Sequence, residues 1–380
     1  RRRPAPAPPP PAVPRGVARP ATPHPRQLRD PRDMPDPDST ASAEKTTSAH
    51  AVSAGDTAHP ALTCLGGGHG LYQTLRAARL CDPASITAVV TVADDGGSSG
   101  RIRRELGQVP PGDLRMALAA LAGDCASADG PGLSAELLQH RFGGHGALAG
   151  HAVGNLLISG LVELGGDVQE ALDTVANLTH SCGRVVPVCT RPLDIAAEVA
   201  GLDDDPRVVR EVRGQVAVAS TPGSVRRVRL VPSDPPASSQ ALEAIRGADL
   251  ITLGPGSWFS SVIPHLLVHS VVDAINASDA LKVVVLNLSA EPGETQGFSL
   301  ERHIHIMAQQ APALRVDRIL VDSDSLLSKA ERAYLSRAAG RLGAEIVFAD
   351  VHSCDGNGMP RNVHDPEKLA AALTGMLAAD

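Results

Sequence analysis

The stretch ITAVVTVADDGGSSGR, residues 86–101, joins a continuous apolar run to a polar, glycine-rich segment. The β-branched run at 86–93 predicts a strand covered on both faces, as in a parallel sheet. In α/β proteins, ligands bind beyond the carboxyl ends of such strands. The stretch therefore predicts an α/β fold whose ligand site lies at that edge of the sheet.

Strands and helices are predicted to alternate along most of the chain. Apolar runs predict strands at 61–65, 184–190, 248–254, 281–289, 317–323 and 344–351, and helical periodicity predicts helices at 71–80, 110–123 and 150–166. This alternation indicates a doubly wound, mostly parallel sheet. QVAVAS (215–220) and VRRVRLVP (225–232) are predicted to form a small hairpin that departs from it.

Residues 1–58 have a different composition. Residues 1–37 hold 13 of the 31 prolines and eight arginines, and residues 38–58 are rich in Ser, Thr and Ala. A segment so poor in large apolar residues cannot offset the entropy lost on ordering. We predict a disordered tail and linker at 1–58, followed by one α/β domain at 59–380.

Composition also narrows the classes of function. The net charge is −7 although the tail is basic, which argues against a DNA-binding domain, and no nucleic-acid partner is expected. No run approaches the roughly 20 apolar residues of a membrane span, and the N-terminus lacks the apolar core of a signal peptide. These features predict a cytoplasmic protein without a membrane span, and assembly into homo-oligomers is left open.

Three glycine-rich loops follow predicted strands: GGGHG (66–70), DDGGSSGR (94–101) and GPGS (254–257). Glycine lets backbone N–H groups approach phosphate oxygens, and a helix N-terminus adds a favourable dipole. A tight turn alone would also explain the first loop. Leu71 replaces the last glycine of the G-x-G-x-x-G pattern, which argues against an NAD-dependent oxidoreductase. Together the loops predict a nucleotide or another phosphate ligand.

The charged residues of the second loop suggest how such a ligand is held. Asp94 and Asp95 would repel a bare phosphate, so we expect them to bind sugar hydroxyls or a divalent cation such as Mg²⁺. The alternative is a simple Asp-Gly turn. Arg101 and Arg115 are candidates to neutralise phosphate, whereas an exposed helix face is the favoured explanation for Arg103 and Arg104.

The motif VTVADDGGSSGRIRRELGQVPPGDLR (90–115) resembles the gluconeogenesis factor family, relatives of 2-phospho-L-lactate transferase (CofD). The resemblance continues through LLQHRFGGHGALAGHAVGNLL (137–157), GPGSWFSSVIPHLLV (254–268) and EPGETQGF (291–298), and it covers about residues 62–373. It implies a Rossmann-like fold and a cytoplasmic location. It also implies a role in growth and cell shape on gluconeogenic carbon sources, with UDP-N-acetylglucosamine as ligand.

Two functions remain open from the sequence. One is a regulatory protein that binds a nucleotide sugar, and the other is a CofD-like transferase that moves a phospholactyl-type group from a nucleoside diphosphate carrier to an unidentified acceptor. The candidate ligand-binding residues are Gly66, Gly67, Gly68, His69, Gly70, Asp94, Asp95, Gly96, Gly97, Ser98, Ser99, Arg101, Asp113, Arg115, Asn155, Gly254, Pro255, Gly256 and Ser257.

Overall fold

The computed structural model describes residues 59–123, 133–205, 207–291, 294–295, 297–325 and 327–379, so the predicted tail at 1–58 lies outside the described residues. The strands are β1 (Ala61–Gly66), β2 (Ser85–Val90), β3 (Arg184–Pro187), β4 (Asp194–Ala200), β5 (Val209–Arg213), β6 (Ser224–Val231), β7 (Leu250–Leu253), β8 (Leu281–Val285), β9 (Arg318–Asp322), β10 (Glu345–Ala349), β11 (His352–Cys354) and β12 (Pro360–His364).

Helices connect these strands. They are α1 (Gly68–Ala78), α2 (Gly97–Leu106), α3 (Gly112–Leu121), α4 (Ala135–Gln139), α5 (Val153–Gly165), α6 (Val168–Leu178), α7 (Gln215–Ala219), α8 (Ser239–Arg246), α9 (Ile263–Leu266), α10 (His269–Ala277), α11 (Leu300–Gln310), α12 (Lys329–Ala339) and α13 (Pro366–Leu377). One turn of π-helix, Trp258–Val262, leads into α9. Within the described ranges no single helix is long and apolar enough to cross a membrane, and the pair Trp258–Leu266 and His269–Ala277 meets those criteria only jointly, with a bend of 69°.

The central sheet has seven strands in the order β10-β9-β8-β7-β1-β2-β3, and every neighbouring pair is parallel. Its middle strands are buried along almost their whole length, which accounts for their continuous apolar sequences. The chain runs from β1 outward to β3 and later returns to β7 on the other side of β1. The order of strands therefore reverses between β1 and β7, and this is the crevice where doubly wound folds bind ligands.

The predicted hairpin is wrong in one of its two strands. VRRVRLVP does form a strand, β6, but its partner is β4, in a three-stranded antiparallel sheet of order β5-β4-β6. QVAVAS instead forms the short helix α7. Its alternating valines resemble a strand, but Gly214 precedes them with a φ of 97°, and the Val216 N–H donates to the Asp95 carboxylate. A side chain distant in sequence thus starts a helix where local pattern favours a strand.

Candidate functional site

The loops after β1 and β7 meet at the reversal of strand order. A Cβ atom on Gly70 would lie 2.1 Å from the Pro255 carbonyl oxygen, so only glycine permits this approach. A Cβ on Gly256 would lie 3.5 Å from the Gly67 carbonyl oxygen. The structure therefore brings the predicted loops GGGHG and GPGS into direct contact at one edge of the sheet.

Next to this contact, Gly67 and Gly68 lie close to Asp113, which is in the first turn of α3. A Cβ on Gly67 would come within 2.5 Å of Asp113 Oδ2, and the Gly68 N–H hydrogen-bonds to the same carboxyl group. Burial and the nearby charge of Asp94 raise the pKa of Asp113 to about 7. The Asp113 carboxyl group therefore keeps its proton to a higher pH than an ordinary aspartate does.

Asp94 is an acidic neighbour of Asp113. Its Oδ1 accepts a hydrogen bond from the Gly96 N–H at 2.9 Å, and its carboxylate also bonds to the Ser99 hydroxyl. Burial raises the pKa of Asp94, with a smaller contribution from Asp95. Asp94 and Asp113 thus form a pair of half-buried, mutually repelling carboxyl groups, an arrangement that favours protons or a cation.

Asp95 points to different neighbours. Its Oδ1 accepts from the Val216 N–H at 2.9 Å, and its Oδ2 would lie 2.3 Å from a Cβ on Gly214. It therefore binds the start of α7, whereas Asp94 lines the cavity described next. The two aspartates that the sequence predicts to act together therefore have different hydrogen-bond partners.

The N-termini of α2 and α3 converge on a cavity of about 310 Å³. Its wall includes Gly96, Gly97, Ser98 and Ser99 at the start of α2, and Gly112 and Asp113 at the start of α3. The predicted Gly96-to-Gly100 turn is in fact mostly helix, since α2 begins at Gly97. A helix N-terminus carries the positive end of the helix dipole and backbone N–H groups that its own helix does not bond, and both favour an anion.

Arg115 lines the same cavity. The residue is only 3% exposed, and its Nε has no hydrogen-bond partner in the part of the chain that the structure describes. Burial, with repulsion from Arg141 in the same cavity wall, lowers the pKa of Arg115 to about 10, so the group stays charged at neutral pH. A buried guanidinium group with an unpaired N–H is a strong attractor for phosphate or carboxylate oxygens.

The other predicted cation, Arg101, is directed elsewhere. Its Nη2 donates to the Ala149 carbonyl oxygen at 2.7 Å. Arg103, expected on an exposed face, pairs instead with Asp194 of β4. These arginines tie α2 to its neighbours, and Arg115 and Arg141 are the arginines that line the cavity.

Ser98 and Asn155 belong to a buried polar network at the cavity wall. The Ser98 hydroxyl lies 2.9 Å from His151 Nδ1, and Asn155 Nδ2 donates to the same hydroxyl oxygen at 3.0 Å. Burial and Arg101 lower the pKa of His151, so the ring is neutral at neutral pH. The network fixes the Ser98 side chain and links α2 to α5.

The GPGS loop is held by side chains that the sequence analysis missed. The Gly256 N–H donates to Asn287 Oδ1 at 2.9 Å, and Asn287 Nδ2 donates to the Gly256 carbonyl oxygen at 2.9 Å. Ser257 and the Phe259 N–H both donate to the Glu294 carboxylate. Because the Gly256 N–H is already bonded, it is not free for phosphate as the loop pattern suggested. No local signal points to Asn287, 31 residues away.

A second cavity, of about 240 Å³, lies at the contact between the GGGHG and GPGS loops. Farther along the sheet edge, the ligand atoms of Asp322, Asp350 and His352 lie within 4.8 Å of one another. The Lys368 ammonium group donates to Asp350 at 2.8 Å and partly neutralises that cluster. Neither Asp94 nor Asp95 belongs to it.

The fold and site together define a Rossmann-like protein of the CofD type. The sequence profile of the family described as "2-phospho-L-lactate transferase CofD" matches residues 62–359. The chain is 57% identical over 319 residues to a Mycobacterium tuberculosis protein with the family name gluconeogenesis factor, covering 84% of this chain and 91% of that one. It is 34% identical to the gluconeogenesis factor of Bacillus subtilis, covering 84% and 98%.

A solved structure agrees with this assignment. The crystal structure of a UPF0052 family member from Bacillus halodurans superposes with a TM-score of 0.70 at 34% identity, covering 82% of this chain and 98% of that one. The chain belongs to the gluconeogenesis factor family. The Rossmann-like α/β fold implied by the motif at 90–115 is confirmed.

Proposed function

We propose that the protein binds a nucleotide sugar of the UDP-N-acetylglucosamine type and acts in the cytoplasm as a regulatory protein. In this role it supports growth and cell shape on gluconeogenic carbon sources. The names of its relatives support the metabolic part of the proposal. Arg115 carries the molecular part, because its charged and almost wholly buried guanidinium group belongs to the wall of a cavity where two helix N-termini meet.

In this proposal the diphosphate group lies against Arg115 and the N-termini of α2 and α3. Asp94 and Asp113 would repel it, and a Mg²⁺ ion held by these two carboxylates would neutralise that repulsion and bridge to phosphate. The oxygen-only ligand set suits magnesium, and the raised pKa of both carboxyl groups, caused mainly by burial, supports a site that a nearby positive charge would stabilise. In this proposal the two carboxylates that would hold the cation are those of Asp94 and Asp113, whereas the sequence suggested those of Asp94 and Asp95.

Calorimetric titration with UDP-N-acetylglucosamine and magnesium tests the diphosphate site. Arg115→Gln should weaken binding about 10- to 100-fold, since a charged hydrogen bond contributes about 1.5–3 kcal/mol. Arg104→Gln removes the same charge from an exposed position on α2 and should change affinity less than about 2-fold. Equal affinities for the wild type and a folded Arg115→Gln protein would refute the proposal.

The CofD-like transferase is the second candidate. The observation that favours it is the hydroxyl–imidazole pair Ser98–His151 beside the cavity, since a neutral imidazole can accept a proton from an attacking hydroxyl group. Mass spectrometry of the protein incubated with UDP-N-acetylglucosamine and with nucleoside diphosphate carriers of phospholactate distinguishes the two. A nucleotide recovered intact supports the regulatory protein, and a nucleotide released by cleavage supports the transferase.

A further inference from the structure

Helix α5 buries its uncharged polar side chains and turns apolar ones outward. Asn155 and Ser159 are buried, and Asn155 Nδ2 donates to the Ser98 hydroxyl. The opposite side of the helix, which we call the α5 face, consists of Val153, Leu156, Leu157, Gly160 and Leu164. The first four are half-buried, and Leu164 is 87% exposed. A surface helix normally has the reverse arrangement, so the α5 face is suited to contact with another apolar surface.

The helices that pack against α5 expose leucines as well. Both α4 and α6 contact α5. Leu137 of α4 and Leu178 at the end of α6 are exposed, and the Leu133 N–H donates to the Leu178 carbonyl oxygen at 2.8 Å. Exposed leucines therefore occur on all three helices of one packed layer, and Leu164 is the most exposed of them.

The apolar positions of the α5 face are spaced symmetrically along the helix. Val153, Leu157, Gly160 and Leu164 follow one another at intervals of four, three and four residues. This spacing is typical of the seam along which two helices pack with knobs into holes, and it is the same in both chain directions. Two antiparallel copies of α5 would therefore pair Val153 with Leu164, and Leu157 with Gly160.

Gly160 provides the hole that such a contact needs. Apart from its chain neighbours and the backbone of α5, no atom of the described residues lies within 4 Å of the position of a Cβ on Gly160. In the antiparallel pairing, the Leu157 side chain of the second copy would occupy that space. A glycine at this position also lets the two helix backbones approach closely.

The charges near the two ends of α5 are complementary in an antiparallel pair. Glu163, the one charged residue of α5, lies near its C-terminus. Arg141 is paired with Ala152 by a β-bridge at the N-terminal end. Antiparallel packing brings these opposite charges of two copies close together, and it opposes the two helix dipoles favourably. Because α5 carries no Lys or Arg, the face is poorly suited to an anionic lipid surface.

We propose that the α5 face is a homodimer interface, in which the α5 helices of two chains pack antiparallel about a two-fold axis. A closed two-fold contact uses the same patch on both chains, which the symmetric spacing provides. This interface goes beyond the proposed ligand and does not depend on it, because none of the residues of the α5 face lines the Arg115 cavity.

Sedimentation velocity of the full chain, between about 1 and 100 µM, tests the interface. We expect the wild type to sediment with the mass of two chains. Leu164→Lys places a charge in the contact near Arg141 of the second copy, and Gly160→Phe fills the hole, so each should weaken the dimer by at least about 10-fold.

Matched controls make the same changes elsewhere. Leu80→Lys alters a leucine that is 55% exposed beyond the end of α1. Gly375→Phe alters an exposed glycine of α13 that likewise has open space at its Cβ position. Both controls should remain dimers. Thermal melting of every variant verifies that it is folded.

Several outcomes would overturn the interface. It is wrong if the wild type sediments as a single chain at every concentration, if either folded α5 variant remains as tight a dimer as the wild type, or if the controls dissociate equally. It is also wrong if the wild type is a single chain that floats with vesicles of phosphatidylcholine and phosphatidylglycerol whereas Leu164→Lys does not, because the face then binds a membrane. Titration of the same proteins with UDP-N-acetylglucosamine evaluates the proposed function separately.

Discussion

At the scale of single residues, the Asp94–Asp113 pair makes stability depend on pH. The folded state raises the pKa of Asp113 to about 7, so between about pH 4 and pH 7 it binds a proton that the unfolded chain releases. Stability must then fall as the pH rises through this window and level off above it. Each unit of pKa difference corresponds to about 1.4 kcal/mol.

Asp113→Asn removes this titration and keeps an oxygen that can accept from the Gly68 N–H. We expect the variant to gain stability relative to the wild type as the pH rises from 5 to 8, by about 1 kcal/mol or more. Urea unfolding at both pH values measures the difference. Glu163→Gln, at an exposed position of α5, serves as the control. If the difference in stability between the variant and the wild type were the same at both pH values, the raised pKa of Asp113 would be contradicted.

The residues of the site differ in how far sequence can predict them. Asp113 and Arg115 follow from local pattern, because both lie in the first turns of a helix that begins near a polar loop. Asn287 and Glu294 do not, since they reach the GPGS loop from more than 30 residues away. Asp95 is a third case. Its position in the motif predicts a ligand contact, and the structure adds a bond from its carboxylate to a backbone N–H of α7 that the sequence does not indicate.

At the scale of elements, Asp95 connects the second loop to α7. Replacing it with Ala removes the acceptor of the Val216 N–H and should cost about 0.5–2 kcal/mol of stability, as loss of a helix cap does. Because Asp95 does not line the Arg115 cavity, magnesium-dependent affinity for UDP-N-acetylglucosamine should change less than about 2-fold.

Chemical denaturation and calorimetry of Asp95→Ala, with Asp94→Asn measured beside it, separate the two roles. Asp94→Asn should weaken magnesium-dependent binding, since that carboxylate faces Asp113 and the cavity. A loss of affinity in Asp95→Ala as large as that in Asp94→Asn would return Asp95 to the ligand site.

The strands of the central sheet are the elements that sequence predicts best. Every one of them coincides with a predicted run, and in the middle strands burial on both faces accounts for the continuous apolar pattern. The first turn of α2 is harder to predict, since Gly97, Ser98 and Ser99 are poor helix formers and their conformation depends on tertiary contacts. Strand β4, DIAAEVA, contains three alanines and no run of β-branched residues, so its pairing with β6 was not predicted.

At the scale of the whole molecule, we expect residues 1–58 to contribute little to stability or ligand binding. Their proline-rich composition offers few large apolar side chains to bury. A protein lacking them should melt within about 2 °C of the full chain and bind UDP-N-acetylglucosamine with unchanged affinity. Scanning calorimetry and titration of the two proteins measure this. A loss of several degrees would show that the segment contributes to the stability of the folded domain.

The order of strands in the sheet cannot be predicted from a single sequence. Alternation of strands and helices restricts the fold to a doubly wound sheet, but it leaves several strands as candidates for the neighbour of β1. Only the structure shows that β7 returns beside β1 and so brings the loops at 66–70 and 254–257 together.

The open space above Gly68 has a consequence for inhibitor design. A small anionic fragment for the Arg115 cavity and a small uncharged fragment for the cavity at the contact of the GGGHG and GPGS loops would each bind weakly on its own. Because no atom beyond the neighbouring residues and the backbone of α1 lies within 4 Å of the Cβ position of Gly68, a short tether can pass over it. Joining the fragments makes the second binding step intramolecular, with an effective concentration in the millimolar range, and raises overall affinity about 10²- to 10⁴-fold without any new contact.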